Sequence, residues 1–348
     1  MCCIFFDISA AFDKVWHSGL IYKLVKINLP LYLIKWIITF LSNRKFRIKI
    51  GEYFTEYYDV LTGVPQGSVL SPTLFSVFIN DIPMNNKKNK MNSLLFADDL
   101  AYYHIYKKGD GAVNKMINKH LSKLEQWAGK WRLSFAPHKC NYLVFSNNSI
   151  NESEKLKLRL NGVTLKYDNN PTFLGIRFDN HFTFGNQVKY LQQTCNRILN
   201  ILKILAHKSK KLSQKTLIQI YFTLVRSVIE YSATIAPALG KGNYKKLQII
   251  QNNPLSIILH VKKIEHLNIE ELHRRAGVIQ IKERLDELRT RYIEKAIEDN
   301  NPLVLDTVRE YNRFKNREIK KATLLCDLSI CDQLNDLSIN SRMNSLET

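Results

Sequence analysis

The stretch "LLFADDLAYY" (residues 94–103) places two adjacent aspartates, Asp98 and Asp99, between two runs of apolar and aromatic residues. Apolar runs on both sides of a short polar turn predict a β-hairpin. An exposed turn is a sufficient explanation for a single Asp-Asp doublet, because Asp favours turns. Whether the doublet is more than a turn therefore depends on the rest of the chain.

The composition indicates a basic protein with a sizeable core. The chain has 348 residues, of which 45% are hydrophobic, and this length favours two or three folded units. The net charge of +20 favours a polyanionic partner, most commonly nucleic acid. No segment has the length and apolar character of a membrane span, and the start lacks a signal-peptide layout. The cysteines lack paired spacing and indicate reduced thiols of an intracellular protein: Cys2, Cys3, Cys140, Cys195, Cys326 and Cys331.

The first part of the chain alternates between strand and helix signals. "CCIFFDI" (2–8) is a nearly continuous apolar run, as expected of a strand buried on both faces. Apolar spacing then lengthens towards a helix, which Asp13 is placed to cap. Pro30 opens a second helix, the alternating segment 45–60 predicts a hairpin about Gly51, and Pro72 lies in the first turn of a third helix.

The following segments predict further strands and then helices only. Residues 84–92 form a polar loop, an amphipathic helix includes Ile117, and strand-like pieces lie around 132–136, 141–145, 156–166 and 172–178. Beyond Phe182 the apolar spacing is helical. One predicted stripe comprises Val188, Leu191, Cys195, Ile198, Leu202 and Leu205, and a second comprises Leu217, Ile220, Leu224 and Val228.

These patterns divide the chain into three predicted parts. Residues 1–180 form a mixed α/β unit, residues 181–262 a helical region, and residues 263–348 a helical C-terminal region. The tail after residue 325 has no strong period, so we expect it to be loose.

A third carboxylate accompanies the doublet. Asp7 ends the first buried strand, so Asp7, Asp98 and Asp99 converge if both elements belong to one sheet. Two like charges about 4 Å apart repel by about 4 kcal/mol at an effective dielectric of 20, and a divalent cation offsets that cost. Oxygen-only ligands suit Mg²⁺, and two such ions clamp the oxygens of an in-line phosphoryl displacement. A basic protein with such a site indicates nucleotidyl transfer.

A glycine-rich turn, "LTGVPQGSVLSP" (61–72), precedes the third predicted helix. Gly63 and Gly67 permit positive φ and close backbone approach, and Pro65 stiffens the turn. Backbone N–H groups at a helix start can receive phosphate groups. Alone this turn would indicate little.

A series of motifs in order gives a specific resemblance: "FFDISAAFD" (5–13), "GVPQGSVLSPTLFSVFINDIP" (63–83) and "LLFADDLAYY" (94–103), followed by "FAPHKCNYLVFS" (135–146) and "PTFLGIRFD" (171–179). The order resembles the palm of reverse transcriptases of non-LTR, Jockey-like retrotransposons. The resemblance implies an α+β fold, a right-hand polymerase palm (an antiparallel sheet with packed helices). Partial fingers elements and a primer grip fall within 1–180, followed by a mostly helical thumb and C-terminal region.

The resemblance also implies roles for individual residues. Asp7, Asp98 and Asp99 would form the catalytic acidic cluster and hold two Mg²⁺ ions, with Mn²⁺ as an alternative. Lys139 matches the lysine that protonates the departing pyrophosphate, with a free surface lysine as the alternative reading.

The nucleotide-binding and primer-grip residues are implied in the same way. Phe12 matches the aromatic gate under the incoming sugar, and a plain core aromatic remains the alternative for it. Gln66 and the adjacent Gly67 match the segment beside the incoming nucleotide and template. The primer-grip turn corresponds to Phe173, Leu174 and Gly175.

The function implied by the resemblance is RNA-directed DNA polymerase, with an RNA template, a DNA primer and dNTPs as partners. No membrane partner is indicated, the oligomeric state is open, and the family's insertion mechanism implies nuclear residence. A non-catalytic nucleic-acid-binding remnant is the alternative. A Mg²⁺-dependent phosphohydrolase explains the acidic residues but not the glycine turn or the charge.

One departure from the family bears on activity. Family members carry basic fingers residues before the strand that here follows Met1. We therefore expect a piece of a retrotransposon polyprotein that binds primer–template and extends it weakly or not at all. Phosphoryl transfer depends on positioning as well as on metal ligands.

Overall fold

The computed structural model describes residues 1–83, 91–107, 109–146, 155–207, 210, 212–261 and 268–305. The chain divides into two compact units, Met1–Gly175 and Ile176–Thr348. The division expected near residue 262, the tail after 325, and Cys326 and Cys331 lie outside the described residues. The three-part organisation stays a prediction.

The first unit contains a five-stranded sheet with the order β11-β8-β1-β7-β6. All neighbouring strands in it are antiparallel except β8 and β11. The strands of the unit are β1 (Cys2–Phe6), β2 (Lys45–Phe46), β3 (Lys49–Ile50), β4 (Tyr53–Phe54), β5 (Tyr58–Asp59), β6 (Met91–Phe96), β7 (Asp99–His104), β8 (Asn141–Val144), β9 (Arg159–Leu160), β10 (Val163–Thr164), β11 (Lys166–Tyr167) and β12 (Thr172–Phe173).

The central position of β1 explains its sequence. All five of its residues are buried, as the continuous apolar run predicted. Helices pack with this sheet in one hydrophobic core, in which Phe75, Phe78 and Leu121 are fully buried. They are α1 (His17–Lys26), α2 (Leu31–Leu41), α3 (Ser71–Ile79) and α4 (Val113–Lys130). The predicted antiparallel sheet with packed helices is confirmed.

Proline and glycine signals placed several elements correctly. Pro30 is the N-cap residue of α2, and Pro72 lies in the first turn of α3. The hairpin expected over 45–60 is present, with β2 paired to β5 and β3 to β4. Gly51 lies in its turn with φ +62°. These residues act through local backbone geometry, so their effect can be predicted from the sequence.

Three local expectations were wrong. Asp13 does not cap a helix: α1 begins later, after Trp16, and has no side-chain cap. Residues 91 and 92 belong to β6 rather than to a polar loop, because β7 pairs with them as far as His104. The expected strand around 132–136 is reduced to one bridge between Ile8 and Phe135. The remainder of the predicted loop, 84–90, lies outside the described residues.

The second unit is helical apart from β13 (Ile176–Arg177), as predicted for the described residues. Its helices are α5 (Gly185–Leu205), α6 (Gln214–Tyr221), α7 (Ser227–Glu230), α8 (Lys241–Ile258), α9 (Ile269–Ala276) and α10 (Ile281–Glu298). A π-helical turn (Phe222–Arg226) and a 3₁₀ segment (Tyr231–Ala238) flank α7. Among the described helices, none combines the length and apolar character that a bilayer span requires.

The second predicted apolar stripe has the wrong phase. Leu217 is buried as predicted, but Leu224 is 39% exposed, and the buried positions after Leu217 are Tyr221, Val225 and Ile229. The π-helical turn Phe222–Arg226 closes i→i+5 bonds, so more residues fit into one turn than in an α-helix. The inward positions consequently recur every four residues across this stretch, which a regular 3.6-residue period does not predict.

Candidate active site

Three carboxylates lie at one end of the central strands. Phe6, the last residue of β1, pairs with Leu100, and Phe96 pairs with Asp99 across a two-residue turn of Ala97 and Asp98. The position after Phe6 is Asp7, so the register directs β1 to the same end of the sheet as the turn. We call Asp7, Asp98 and Asp99 the acidic edge; the Asp7 side chain is 42% exposed, and Asp98 and Asp99 are exposed.

The carboxylates of the acidic edge influence one another. The pKa of Asp99 lies above its ordinary value, first because the carboxyl is partly buried. The negative charges of Asp98 and then Asp7 raise it further. The structure therefore brings together the three aspartates that the sequence predicted to converge. Their electrostatic interaction is repulsive, as three like charges require.

The turn that carries Asp98 has an unusual backbone. Ala97 adopts φ +50°, in the left-handed region that two-residue hairpin turns favour and that glycine usually occupies. For a residue with a Cβ this conformation costs about 1–2 kcal/mol. The neighbouring ladder of β6 and β7 holds the turn in place. Sequence reasoning missed this strain, because an alanine between two apolar runs carries no turn signal.

Lys139 lies beside the acidic edge. Its Nζ is 3.6 Å from Asp7 Oδ2, and its side chain is 73% exposed. The turn that presents it is pinned to the end of β1, since the Ala136 N–H donates to the Asp7 carbonyl oxygen at 2.9 Å. An exposed ion pair contributes about 0–1 kcal/mol, so this contact matters for placement rather than stability. Lys139 has a partner in Asp7 but remains an exposed side chain, so both readings of it, pyrophosphate-protonating lysine and surface lysine, stay open.

The glycine turn lies directly on the segment that follows β1. The Gly63 N–H donates to the Val15 carbonyl oxygen at 2.8 Å, and the Val64 N–H donates to that of Phe12 at 2.9 Å. A Cβ at Gly63 would lie 2.7 Å from the Asp13 carbonyl oxygen, and φ is +87°. Gly63 is therefore required both for its conformation and for the close backbone approach.

The same turn presents Gln66 and Gly67 to solvent. Gln66 Nε2 donates to Asp13 Oδ1 at 2.9 Å, which gives Asp13 the role of orienting an amide instead of capping a helix. Gly67 is exposed with φ +85°, and no heavy atom lies within 4 Å of a Cβ built there. Open space at Gly67 contrasts with the tight backbone contact at Gly63.

Phe12 and the primer-grip turn contact the core of the first unit. The Phe12 ring stacks on Phe75 with centroids 4.4 Å apart, and Phe12 is only partly buried. Both readings of Phe12, core aromatic and sugar gate, stay open. The Phe173 ring lies 5.5 Å from that of Phe5 in β1. Leu174 and Gly175 follow with φ +47° and +71°, a sharp turn that ends the unit.

The donor chemistry of the acidic edge fits Mg²⁺, although no cage is preformed. Carboxylate oxygens are the ligands that Mg²⁺ prefers, and mutual repulsion is relieved by a divalent cation. In the described part of the chain, no three His, Cys, Asp or Glu side chains are gathered closely enough to hold an ion as they stand. The metal-ligand role of Asp7, Asp98 and Asp99 therefore stays a prediction.

Comparison with solved structures returns telomerases at low similarity. The chain is 14% identical to telomerase from Candida tropicalis in complex with a TWJ fragment of telomeric RNA, with a TM-score of 0.40. The alignment covers 82% of this chain and 48% of the telomerase chain. For telomerase from Candida albicans the identity is 14% and the TM-score 0.37, with 79% and 46% covered.

Comparison with protein families and curated proteins gives closer matches. The family model "Reverse transcriptase (RNA-dependent DNA polymerase)" matches residues 1–178. The RNA-directed DNA polymerase from mobile element jockey of Drosophila melanogaster is 28% identical over 84% of this chain. The probable RNA-directed DNA polymerase from transposon BS of the same species is 27% identical, also over 84%. The chain spans 32% of the length of each. This chain belongs to the reverse transcriptase (RNA-dependent DNA polymerase) family and is similar to its Jockey-type members.

Proposed function

We propose that the chain carries the catalytic core of an RNA-directed DNA polymerase of a non-LTR retrotransposon. The observation that carries the proposal is the acidic edge, where three mutually repelling, solvent-accessible carboxylates lie at the end of the central strands. Lys139 contacts Asp7 itself, and the glycine turn is hydrogen-bonded to the segment that follows it, at Phe12 and Val15. A carboxylate cluster with a neighbouring cation and an adjoining turn suits the transfer of a nucleotidyl group.

The acidic edge and Lys139 would have separate roles in the transfer. Asp7 and Asp98 would hold both metal ions, and Asp99 would complete the acidic cluster. When bound, two Mg²⁺ ions would supply a clamp on the attacking and leaving oxygens of an in-line displacement. The ammonium group of Lys139, which lies 3.6 Å from Asp7, would donate a proton to the departing pyrophosphate.

The nucleotide would approach past the glycine turn. Gln66, held by Asp13, and Gly67, open to solvent, would flank the base and sugar of an incoming dNTP. Phe12 would form the floor under the sugar, supported from behind by Phe75. Exclusion of a 2′-hydroxyl would follow from the bulk of this ring, since the stacked partner prevents it from moving away.

The partners proposed for this core are an RNA template and a DNA primer, with nuclear residence as the expected location. The net charge of +20 favours association with both strands through their phosphates. The turn at Phe173, Leu174 and Gly175 would lie against the primer end, because two consecutive left-handed residues bring the backbone close to its neighbours.

Primer extension on an RNA template tests this function. The wild-type chain is expected to add dNTPs weakly and in a Mg²⁺-dependent way, and Asp98→Asn is expected to abolish this incorporation, as phosphoryl transfer rests on positioning and electrostatics. Asp299→Asn, which removes an exposed carboxylate just after α10, is the matched control and should retain full activity.

A non-catalytic nucleic-acid-binding protein is the second candidate. The observation that favours it is the lack of a preformed metal cage among the described residues. It predicts binding of primer–template without extension, and identical behaviour of wild type and Asp98→Asn. Extension that depends on both Mg²⁺ and Asp98 would exclude this candidate.

A further inference from the structure

An exposed hairpin in the first unit has no role in the proposed active site. Residues 44–60, which we call the basic–aromatic hairpin, comprise β2, β3, β4 and β5. Two-stranded hairpins are marginally stable in water, so exposed apolar area on one calls for an explanation. Five of its aromatic side chains are between 49% and 83% exposed: Phe46, Tyr53, Phe54, Tyr57 and Tyr58.

The strand register sorts the side chains onto two faces. Lys45 pairs with Asp59, Lys49 pairs with Phe54, and Arg47 lies between the two lysines along the chain. Arg47 and Lys49 lie on one face, which we call the basic face, since both approach the Phe54 ring, and Lys45 lies at its end beside Asp59. The opposite, apolar face holds Phe46 and Tyr58, with Ile48, Ile50 and Tyr53.

The basic face combines cations with aromatic rings. The guanidinium carbon of Arg47 lies 3.9 Å from the Phe54 ring centroid and 5.1 Å from that of Tyr57. Lys49 Nζ lies 5.4 Å from the Phe54 centroid. Such arginine–aromatic layers are flat and cationic, and both components stack with nucleobases.

The net charge of the chain, rather than that of the hairpin, favours a polyanion over a second copy of this chain as the partner. Lys45 Nζ lies 3.8 Å from Asp59 Oδ1, and this exposed contact is weak enough to be exchanged for a phosphate. Glu52 and Glu56 are the other acidic residues of the hairpin, and Glu52 lies at its tip. A second copy of a chain with a net charge of +20 would be repelled, whereas a nucleic acid strand would be attracted.

We propose that the basic face of this hairpin binds single-stranded nucleic acid. Bases stack on the layer formed by Arg47, Phe54 and Tyr57, while Lys45 and Lys49 contact phosphates. Lys45 and Lys49 are four residues apart, about 13 Å along an extended strand, which is about twice the separation of consecutive phosphates in an extended single strand. The surface reads no sequence, since stacking and phosphate contacts are available to every nucleotide. This inference does not require the chain to be catalytic.

Binding of a fluorescent, unstructured RNA oligonucleotide to the full chain, followed by anisotropy, tests the proposal. Phe54→Ala and Tyr57→Ala are each expected to weaken binding by about fivefold or more, as loss of a stacking ring does. Arg47→Ala should weaken binding and also reduce its dependence on salt. Tyr53→Ala removes an 83% exposed ring from the apolar face of the same hairpin and should change affinity by less than about twofold.

Photocrosslinking to the unsubstituted chain provides a test that does not depend on substitutions, since a substitution could weaken binding only by unfolding the hairpin. A 4-thiouridine oligonucleotide is expected to label the segment containing Phe54 and Tyr57, and competitor single strands should abolish the label. Equal affinities for basic-face and apolar-face variants, or no label in this segment, would overturn the proposal. Sedimentation showing that Phe54→Ala or Tyr53→Ala dissociates a dimer would assign the hairpin to a second copy instead.

Discussion

Two charged clusters in the first unit differ in net charge, in burial and in the partners of their charged groups. We call Lys23, Asp81 and Trp127 the aromatic ion pair: Lys23 is 4% exposed, and its Nζ lies 2.5 Å from Asp81 Oδ1. Trp127 Nε1 donates to the same oxygen at 2.9 Å, and the Trp131 ring centroid is 3.6 Å from the ammonium. The acidic edge, by contrast, holds three like charges that are open to water.

The difference separates charges that maintain the fold from charges that await a ligand. In the aromatic ion pair, burial lowers the pKa of Lys23, and the Asp81 carboxylate opposes that shift. In the acidic edge, partial burial raises the pKa of Asp99, and its neighbours add to that shift. The aromatic ion pair satisfies its charges internally, whereas the acidic edge is compensated only by the exposed contact of Lys139 with Asp7 and therefore favours an external cation.

The largest effect on stability is expected at the aromatic ion pair. Asp81→Ala leaves the buried Lys23 ammonium without its anion and removes the acceptor of Trp127 Nε1. Breaking a buried pair from one side costs about 3 kcal/mol or more in the free energy of unfolding. Chemical denaturation monitored by tryptophan fluorescence measures the loss.

The matched substitution is Lys23→Met, which retains the apolar stem among the rings. The Asp81 side chain is 42% exposed and can be solvated when its partner is removed. The cost should accordingly be less than half of that of Asp81→Ala. If the two substitutions are equally harmful, the asymmetry between a buried cation and a half-exposed anion is wrong.

A somewhat smaller effect is expected where the glycine turn meets the segment after β1. Gly63→Ala places a Cβ 2.7–2.9 Å from backbone atoms of Asp13, which cannot rotate away as a side chain could. With the positive φ added, we expect about 2–3 kcal/mol of destabilisation. Gly67→Ala has a similar φ but open space around it, so it should cost about 1–2 kcal/mol. Thermal melts of both variants measure the difference, and equal costs would contradict the backbone collision.

The smallest effect on stability is expected at the acidic edge. There the substitution Asp99→Asn removes a repelling charge, so it is expected to stabilise the folded chain instead of destabilising it. The pKa of Asp99 is raised in the folded chain above 3.8, its ordinary value. At pH values just above 3.8 the folded chain therefore still holds a proton that the unfolded chain has released. The resulting stability is complete below that value and is lost as pH rises through the raised pKa. Wild type should therefore lose slightly more stability over this interval than Asp99→Asn. Denaturation midpoints across the acid range test this, and an identical pH dependence of the two proteins would contradict it.

Local signals predicted much of the fold. The apolar run of β1, Pro30 and Pro72 at helix starts, and Gly51 in the hairpin each act within a few residues. Convergence of Asp7 with Asp98 and Asp99 was predictable once both elements were assigned to one sheet. The roles of these residues came from the family resemblance and were not contained in their spacing.

Other features depend on contacts between distant residues and could not be predicted. Asp13 accepts from Gln66, 53 residues away, and does not cap α1, which begins only after Trp16. Lys23 meets Asp81 only through the packing of α1 against α3. The π-helical turn Phe222–Arg226 changed which residues are buried after Tyr221. Neither composition nor a regular period carries information about such contacts.

The claim that the acidic edge is an unsatisfied cluster awaiting a cation is tested most directly by Mg²⁺-dependent stability. Thermal unfolding of wild type, Asp98→Asn and Asp299→Asn is followed with and without Mg²⁺. An ion that binds only the folded state adds about 1.4 kcal/mol at ten times its Kd. Mg²⁺ is predicted to raise the midpoint of wild type and Asp299→Asn, and to leave Asp98→Asn unchanged. An equal response of all three proteins, or none in any, would contradict the account.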